Sequence, residues 1–203
     1  IFLKEFIEDP IKNPLETPSG KIELFSKQID SFEYSDCVGH PKWFGDKEYL
    51  GNTKTYRLHL LSNQPKFKLH SQLDNGHVAD NEKSDGRSVI EINKFDAEAR
   101  ALTENMVVKV FNHRGCCLAV VKISDKIMPG VVNIPTGAWL DPLKSSGISC
   151  VHGNPNVLTN DVGTSKLAQG PTAHTCLVEI EQFNEKAPRI KAFEPPKITR
   201  LNK

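Results

Sequence analysis

The sequence lacks the features of several common functional classes. Its 26 Lys and Arg residues nearly balance 25 Asp and Glu residues, so the net charge of +1 gives no electrostatic basis for binding nucleic acid or an acidic membrane. No apolar run reaches the roughly 18 residues that a membrane-spanning helix needs, and no signal-peptide pattern opens the chain. Because it begins at Ile1 within a mixed apolar and charged run, we expect a piece of a longer protein.

The cysteines do not have the spacing of a metal centre. None of the five forms a C-x-x-C pair, and two adjacent cysteines are poorly placed to share one tetrahedral metal ion. We therefore expect buried, reduced thiols. Phosphate-loop and dinucleotide-binding glycine motifs are also absent. Cys150 and His152 are two residues apart, so in a strand their side chains would point to the same face. They could then act as a nucleophile and its base, but the sequence suggests no carboxylate to orient the histidine.

The pattern that is present is typical of a mainly β protein with short helices. Strands are predicted within residues 17–26, 55–62, 88–93, 106–112, 116–124, 129–135 and 175–182. Asn93 can cap a short helix that continues through Leu102, and Gly115 is expected at positive φ in a hairpin turn. Short strands separated by glycine and proline turns predict a β-barrel.

Residues 152–175 are rich in small hydroxyl and amide side chains, glycine and proline, and carry no charge cluster. Such a segment supplies neutral hydrogen-bonding groups and lets the backbone come close to a ligand. Thr164 or Ser165 is also expected to cap a helix. Lys66 and Lys68 are expected in a solvated loop, with the alternative that they lie close enough to His70 to help bind a pyrophosphate. Trp139 is expected to fill the barrel, with the alternative that it lines the approach to a site.

Six motifs follow one another in an order that resembles the C-terminal part of the molybdopterin oxidoreductases of the dimethyl-sulfoxide-reductase family. Within that family, trimethylamine-N-oxide and biotin-sulfoxide reductases are most similar. The motifs cover residues 14–183 and are TPSGKIELFS, LLSNQPKFKLHSQLDNG, INKFDAEARAL, VKVFNHRGCCLAVVKISDKIMPGVV, TGAWLDP and HGNPNVLTNDVGTSKLAQGPTAHTCLVEIE.

The resemblance implies a six-stranded double-psi β-barrel that binds a molybdopterin guanine dinucleotide. Two such dinucleotides hold one molybdenum in the intact enzymes, which reduce N-oxides or S-oxides by oxygen-atom transfer. The serine ligand of the metal lies far upstream in the relatives. We therefore expect no catalytic residue and no metal ligand in this chain, no activity of the chain alone, and no bound cofactor in it when isolated.

The resemblance further implies a lead-in segment at residues 1–16, the cofactor-binding barrel at 17–183 and an extended C-terminal tail at 184–203. The implied partners are upstream domains of the same enzyme, a small N-oxide or S-oxide substrate and an electron donor such as a c-type cytochrome. A periplasmic location is expected, with the cytoplasm as the alternative. A rival hypothesis is a non-enzymatic binding or assembly module without cofactor, and a second is a hydrolase built on Cys150 and His152.

By the same resemblance, three segments contact the cofactor. Residues 70–72 form the first segment, and the alternative for them is a surface loop. In the second segment, Asn156 is expected to bind the cofactor while Asn154 forms a turn. The third segment precedes the last strand, and the alternative for its His174 is a buried, hydrogen-bonded histidine. The implied cofactor-binding residues are His70, Ser71, Gln72, Asn156, Gln169, Thr172, Ala173 and His174. The sequence departs from the family at Glu104–Asn105, where a Gly-Asp pair is usual, and at Leu140, where an aromatic residue is usual. Asn105 can still adopt a left-handed turn.

Overall fold

The computed structural model describes residues 1–45, 48–52, 54–196 and 198. They form two compact units. The first contains residues 1–45 and 163–171, and the second contains the described residues of 46–162 and 172–203. None of the helices in the described part of the chain combines the length and apolarity that crossing a membrane requires.

The first unit contains two short helices, α1 (Lys4–Glu8) and α2 (Lys27–Asp30), and α2 is capped by the Ser26 hydroxyl, which accepts from the Ile29 N–H. The predicted strand within residues 17–26 is wrong. Among the described residues of this unit no strand forms, and Ile22 and Leu24 are 68% and 80% exposed. An alternating pattern without a partner strand leaves backbone groups unpaired, so the segment adopts turns.

The predicted helix start at Thr164 and Ser165 is also wrong. The Ser165 hydroxyl accepts from the Ala168 N–H at 3.1 Å, and the Thr164 hydroxyl donates to the Ala168 carbonyl at 2.8 Å. These bonds close a turn, and residues 163–171 contain no helix. Small hydroxyl side chains stabilise turns by the same local bonds with which they cap helices, so the sequence pattern did not separate the two structures.

The described residues of the second unit contain seven strands, β1 (Leu58–Leu61), β2 (Lys83–Ser84), β3 (Arg87–Ile92), β4 (Val107–Phe111), β5 (Cys116–Ile123), β6 (Val131–Asn133) and β7 (Leu177–Gln182). Six of them form a closed barrel. The strand pairing runs β3-β5-β4-β7-β1-β6 and closes where β6 pairs with β3. Two pairs, β1 with β6 and β3 with β5, are parallel, and the other pairs around the barrel are antiparallel. The prediction of a six-stranded double-psi β-barrel is confirmed. The seventh strand, β2, lies outside the barrel and pairs with β3.

Helix α3 (Lys94–Glu98) follows β3, and three 3-10 helices span Ala79–Glu82, Lys144–Ser146 and Pro155–Val157. Asn93 caps α3 as predicted, since its side-chain oxygen accepts from the Phe95 N–H. The helix ends before the predicted Leu102. Ala101 takes a left-handed φ of 53° there, and the Leu102 N–H bonds back to the Ala97 carbonyl at 2.9 Å. This Schellman-type end buries Leu102.

The β4–β5 hairpin forms as predicted, but the expected reason for Gly115 is wrong. Gly115 does not have positive φ. A Cβ at this position would lie 2.7 Å from the Val157 carbonyl oxygen and 2.8 Å from the Ser149 hydroxyl, so the missing side chain permits a close approach. The left-handed turn expected at Asn105 is present, with φ of 65°.

Most of the cysteines are buried thiols, as predicted. Cys116, Cys117, Cys150 and Cys176 are buried, Cys37 is half-buried, and all five are free. Burial raises the pKa of Cys117 well above its usual value and raises that of Cys176 to about 11. These two thiols therefore stay protonated and pack as small apolar groups. The main core consists of Leu58, Leu60, Ile90, Ile92, Ala97, Leu102, Val108, Val110, Cys117, Ala119, Val121, Val132, Ile134, Cys150, Leu158, Cys176, Val178 and Ile180.

The described residues after β7 form neither helix nor strand, yet they are tied to the barrel unit. The Arg87 guanidinium donates to the Pro188 carbonyl, and the buried Asp141 carboxylate accepts from the backbone N–H groups of Lys191 and Ala192. Residues 197 and 199–203 of the expected tail lie outside the described residues. The segment that follows the last strand thus makes specific contacts.

Candidate functional site

A hollow of about 430 Å³ lies where three loops of the barrel unit meet. Two of these loops follow β1 and β6, which are parallel neighbours whose last residues, Leu61 and Asn133, are paired. The two loops therefore start at the same edge of the sheet. The third contains the 3-10 helix Pro155–Val157. The lining residues are His70, Ser71, Thr136, Gly137, Ala138, Trp139, Leu140, Asn154 and Asn156.

Gly137 fixes the distance between the first two loops. Its φ is +99°, and a Cβ there would lie 1.8 Å from the His70 carbonyl oxygen, so only glycine fits. His70 is itself left-handed, with φ of 50°, in a turn closed by the Gln72 N–H and the Leu69 carbonyl at 2.9 Å. Sequence reasoning missed Gly137, although a glycine in the loop that follows a strand can mark such a close approach.

Trp139 joins the same two loops through its side chain and its backbone. Its indole N–H donates to the Ser71 carbonyl at 2.8 Å, and its backbone N–H donates to the Asp74 carboxylate at 2.9 Å. The expectation that Trp139 fills the barrel is wrong, since the side chain is 36% exposed and lines the hollow. A buried indole would need a partner for its N–H in the apolar barrel, whereas Ser71 supplies one at the rim.

Asn154 and Asn156 divide their roles along the third loop. The Asn154 side chain accepts from the Asn156 N–H at 2.9 Å and caps the 3-10 helix, which confirms its predicted role as a turn former. Asn156 is exposed and lines the hollow. Its backbone N–H, and not its side-chain amide, takes part in the cap. Its role as a cofactor ligand stays a prediction.

A buried carboxylate supports the loop that carries His70 and Ser71. Asp74 is fully buried, and its carboxylate binds the Lys68 ammonium and lies 3.4 Å from the Lys83 ammonium. Burial raises the pKa of Asp74, but hydrogen bonds from Lys68 and Trp139 and the charges of both lysines outweigh it, and the pKa is lowered. The expectation that Lys68 is solvated is wrong because a buried carboxylate needs a cation beside it.

His152 lies behind Trp139 and is fully buried. Its Nδ1 is 3.0 Å from the Trp139 carbonyl and 3.8 Å from the Asp74 carboxylate. Burial lowers the pKa of His152, so the ring is neutral near pH 7 and Nδ1 donates to the carbonyl. The Cys150 thiol is also fully buried and accepts from the Asp141 and Asn154 N–H groups. Neither group is presented to a substrate, so the geometry does not favour the hydrolase hypothesis.

The structure brings together three of the predicted cofactor-binding residues, His70, Ser71 and Asn156. Gln72 is exposed outside the lining of the hollow. The Gln169 amide donates to the Ser165 carbonyl at 2.6 Å within the other unit. Gln72 is therefore not brought together with the three residues of the hollow.

The polar groups of the residues that precede β7 bond to other groups of the protein. The Thr172 hydroxyl donates to the Val162 carbonyl at 3.0 Å, and Ala173 is half-buried. His174 is exposed, unlike the buried alternative, and its carbonyl accepts from the His59 ring at 2.5 Å. None of these residues lines the hollow.

The hollow has the size and chemistry for a neutral heterocycle. Its volume falls within the range of about 300–1,000 Å³ typical of small-molecule sites. It contains two Asn side chains, hydroxyl groups and an imidazole, and none of the described residues that line it carries a carboxylate or ammonium group. A fused heterocycle with donors and acceptors at its edge would find neutral partners there. In the described part of the chain, no cluster of three or more His, Cys, Asp and Glu side chains could hold a metal ion.

The fold is similar to one solved enzyme structure at low sequence identity. Acetylene hydratase from Pelobacter acetylenicus matches with a TM-score of 0.65 and 18% identity, over 84% of this chain and 24% of that chain. At this identity the likeness concerns the fold alone.

Sequence comparison identifies the family. Residues 58–177 match the family model described as "Molydopterin dinucleotide binding domain". Trimethylamine-N-oxide reductase 1 of Escherichia coli O157:H7 is 47% identical over 94% of this chain and 23% of its own length. Biotin sulfoxide reductase of Cereibacter sphaeroides is 43% identical over 89% of this chain and 24% of its length. The chain spans about a quarter of the length of these relatives. It belongs to the family of molybdopterin-dinucleotide-binding domains.

Proposed function

We propose that this chain is the C-terminal cofactor-binding domain of a molybdenum reductase that acts on N-oxides or S-oxides. The observation that carries the proposal is the neutral, polar hollow built on the contact between Gly137 and His70, in a chain of this family. The matched relatives support the reaction class because they are named as reductases of trimethylamine N-oxide and biotin sulfoxide. The proposed cofactor of the intact enzyme is the bis(molybdopterin guanine dinucleotide) form of molybdenum, which supplies the oxygen-atom transfer.

The proposed task of the domain is to bind and orient this cofactor. We assign His70, Ser71 and Asn156 to the heterocycle at the hollow. Each ring donor or acceptor that lost water without a new partner would cost about 1–3 kcal/mol, so matched amides and hydroxyls favour binding. The other residues assigned to more distant parts of the cofactor are Gln72, Gln169, Thr172, Ala173 and His174. No catalytic residue and no metal ligand is assigned within this chain.

The proposed partners follow from the same reaction class. Upstream domains of the intact protein would complete the cofactor site, an electron donor such as a c-type cytochrome would return electrons, and the N-oxide or S-oxide would enter as the substrate. The proposed location is the periplasm. Reduction of the oxide consumes two electrons and two protons and releases the oxygen as water, so the donor must deliver electrons on each turnover.

The first experiment tests cofactor binding by the intact protein that contains this chain. The protein is produced in a host that makes the molybdenum cofactor, and its molybdenum and pterin are measured after gel filtration. In the Asn156→Ala variant we expect cofactor binding weakened by about 1–3 kcal/mol, the cost of one lost polar contact. The control is Asn160→Ala, the same change at an exposed residue outside the hollow.

Two outcomes would count against the proposal. Intact wild-type protein without molybdenum and pterin would favour the non-enzymatic binding module. Equal retention of cofactor by the Asn156→Ala and Asn160→Ala variants would remove Asn156 from the site. Turnover of trimethylamine N-oxide and of biotin sulfoxide by the loaded protein then separates the two classes of substrate.

A further inference from the structure

The C-terminal strap, defined here as residues 188–193, lies outside the segment that matches the family and contacts the rear of the hollow. It is held at two points. The buried Arg87 guanidinium donates to the Pro188 carbonyl at one end. At the other end, the buried Asp141 carboxylate accepts from the Lys191 and Ala192 N–H groups. Phe193 follows directly, so its position is defined by these bonds.

The Phe193 ring packs on three groups behind the hollow. Its centroid is 5.2 Å from the Trp139 ring and 5.0 Å from the His152 ring, with interplanar angles of 68° and 89°. The Lys83 ammonium lies 4.8 Å from the same centroid. Edge-to-face aromatic pairs and a cation over a ring are each favourable, and together they favour one orientation of Phe193.

These contacts connect Phe193 to the residues proposed to bind the cofactor. Trp139 lines the hollow, and its indole N–H donates to the carbonyl of Ser71 on the opposite loop. The His152 ring bonds to the Trp139 carbonyl. Phe193 therefore contacts the Trp139 indole directly and also contacts the imidazole that bonds to the Trp139 backbone. Without the Phe193 ring, the indole would lose the packing surface behind it, and the bond to Ser71 would be its main remaining restraint.

We propose that Phe193 is a positioning residue for the cofactor-binding hollow, acting through Trp139. The proposal rests on the proposed function of the hollow, because its consequence is measured as cofactor retention. Phe193 does not touch the hollow itself. A preorganised wall lowers the ordering cost of binding, so loss of Phe193 should speed release of the cofactor while the barrel remains folded.

The test compares Phe193→Ala with Phe193→Tyr and Phe95→Ala in the intact, cofactor-loaded protein. Phe95 is a matched control because it is 60% exposed, has a lysine ammonium 5.2 Å from its ring centroid and lies on α3, outside the hollow. We expect Phe193→Ala to release pterin and molybdenum about tenfold faster than wild type, because Trp139 loses its aromatic contact. Phe193→Tyr keeps the ring and should restore slow release, and Phe95→Ala should match wild type.

Hydrogen exchange of the same proteins separates positioning from a general loss of stability. In Phe193→Ala we expect faster exchange in peptides that cover residues 69–74 and 136–141, with unchanged exchange in strands β4 and β5. Unchanged cofactor release in Phe193→Ala would overturn the proposal. Faster exchange across β4 and β5 would also overturn it, because Phe193 would then be a stability residue. Wild-type protein without cofactor would overturn the proposed function before any variant is compared.

Discussion

At the scale of single residues, Gly137 and His152 carry the strongest local constraints near the hollow. Gly137 is constrained by backbone crowding, because the His70 carbonyl occupies the position that a side chain would need. His152 is constrained by burial, because a charged imidazole would lose its water among Trp139, Phe193 and the neighbouring lysines. Both constraints act over a few ångströms, so each can be tested with one substitution.

We expect Gly137→Ala to destabilise the chain by about 2–5 kcal/mol, since an Ala side chain adds overpacking of about 1–3 kcal/mol to left-handed backbone strain of roughly 1–2 kcal/mol. Gly147→Ala is the matched control. Gly147 has φ of +69° and open space around its Cβ position, so only the backbone strain applies. Urea unfolding measures both free energies. Equal losses in the two variants would contradict the close contact with His70.

The burial of His152 predicts a pH dependence of stability. The pKa of the folded His152 lies below its ordinary value of 6.5, so the unfolded chain binds this proton more readily. The contribution of the neutral, buried His152 to the free energy of unfolding is therefore complete above pH 6.5. It is lost as the pH falls towards the pKa of the folded state, and the free energy of unfolding then decreases by up to about 1.4 kcal/mol per pH unit.

The measurement is the free energy of unfolding at pH 7.5 and at pH 5.5. His152→Gln, which keeps a neutral donor for the Trp139 carbonyl, should reduce the difference between the two values. The exposed His77→Gln variant should behave like wild type. The same pH difference in wild type and in His152→Gln would show that His152 does not cause it.

At the scale of elements, burial along β1 decides which side chains stabilise the barrel. Leu60 is fully buried in the core, and the next residue, Leu61, is 38% exposed. The alternation of a β-strand places the two side chains on opposite faces of the sheet. Two chemically identical residues on one short strand therefore differ in how much apolar surface they remove from water.

We expect Leu60→Ala to lower the free energy of unfolding by about 2–5 kcal/mol because it opens a cavity in the core. Leu61→Ala should cost less than half as much, since solvent can occupy the space that it leaves. Guanidinium unfolding of both variants at one pH provides the comparison. Similar losses would mean that the two faces of β1 are buried to similar extents in solution.

At the scale of the whole molecule, closure of the barrel brings the site together. β1 and β6 are distant in sequence and become parallel neighbours, so the loops that follow them share one edge. The Ile134 N–H bonds to the Leu61 carbonyl at 3.0 Å, and the Thr136 N–H bonds to the Asn63 carbonyl at 3.0 Å, which continues the pairing into both loops. The hollow is therefore a product of the sheet topology.

The proposed role in cofactor binding, with no catalytic residue assigned, predicts that the 203-residue chain alone is inactive. The assigned residues are proposed to bind and orient the cofactor, and no residue of this chain is assigned to the oxygen-atom transfer itself. With a strong reductant and trimethylamine N-oxide, we expect no turnover above the rate without protein. The intact, cofactor-loaded protein is the control under the same conditions. Sustained turnover by the isolated chain would show that it contains a complete active site.

Local patterns in the sequence predicted most of the barrel. Alternating or β-branched residues marked β1 and β3 to β7, and Asn93 was identified as a helix cap from its side chain alone. These features depend on interactions within a few residues. The order of the six motifs also predicted the family, because together they compare many positions of the chain with its relatives.

Sequence determined where the barrel strands lie and which small polar residues are available, since backbone propensity and side-chain chemistry are local properties. Tertiary structure alone decided that the strand predicted within residues 17–26 finds no partner strand and that Lys68 is buried against Asp74. It also decided that His70, Ser71 and Asn156 share a hollow while Gln72 lies outside it. These outcomes depend on which distant segments meet when the sheet closes, because an unpaired strand, a buried charge and a shared cavity each need partners from elsewhere in the chain.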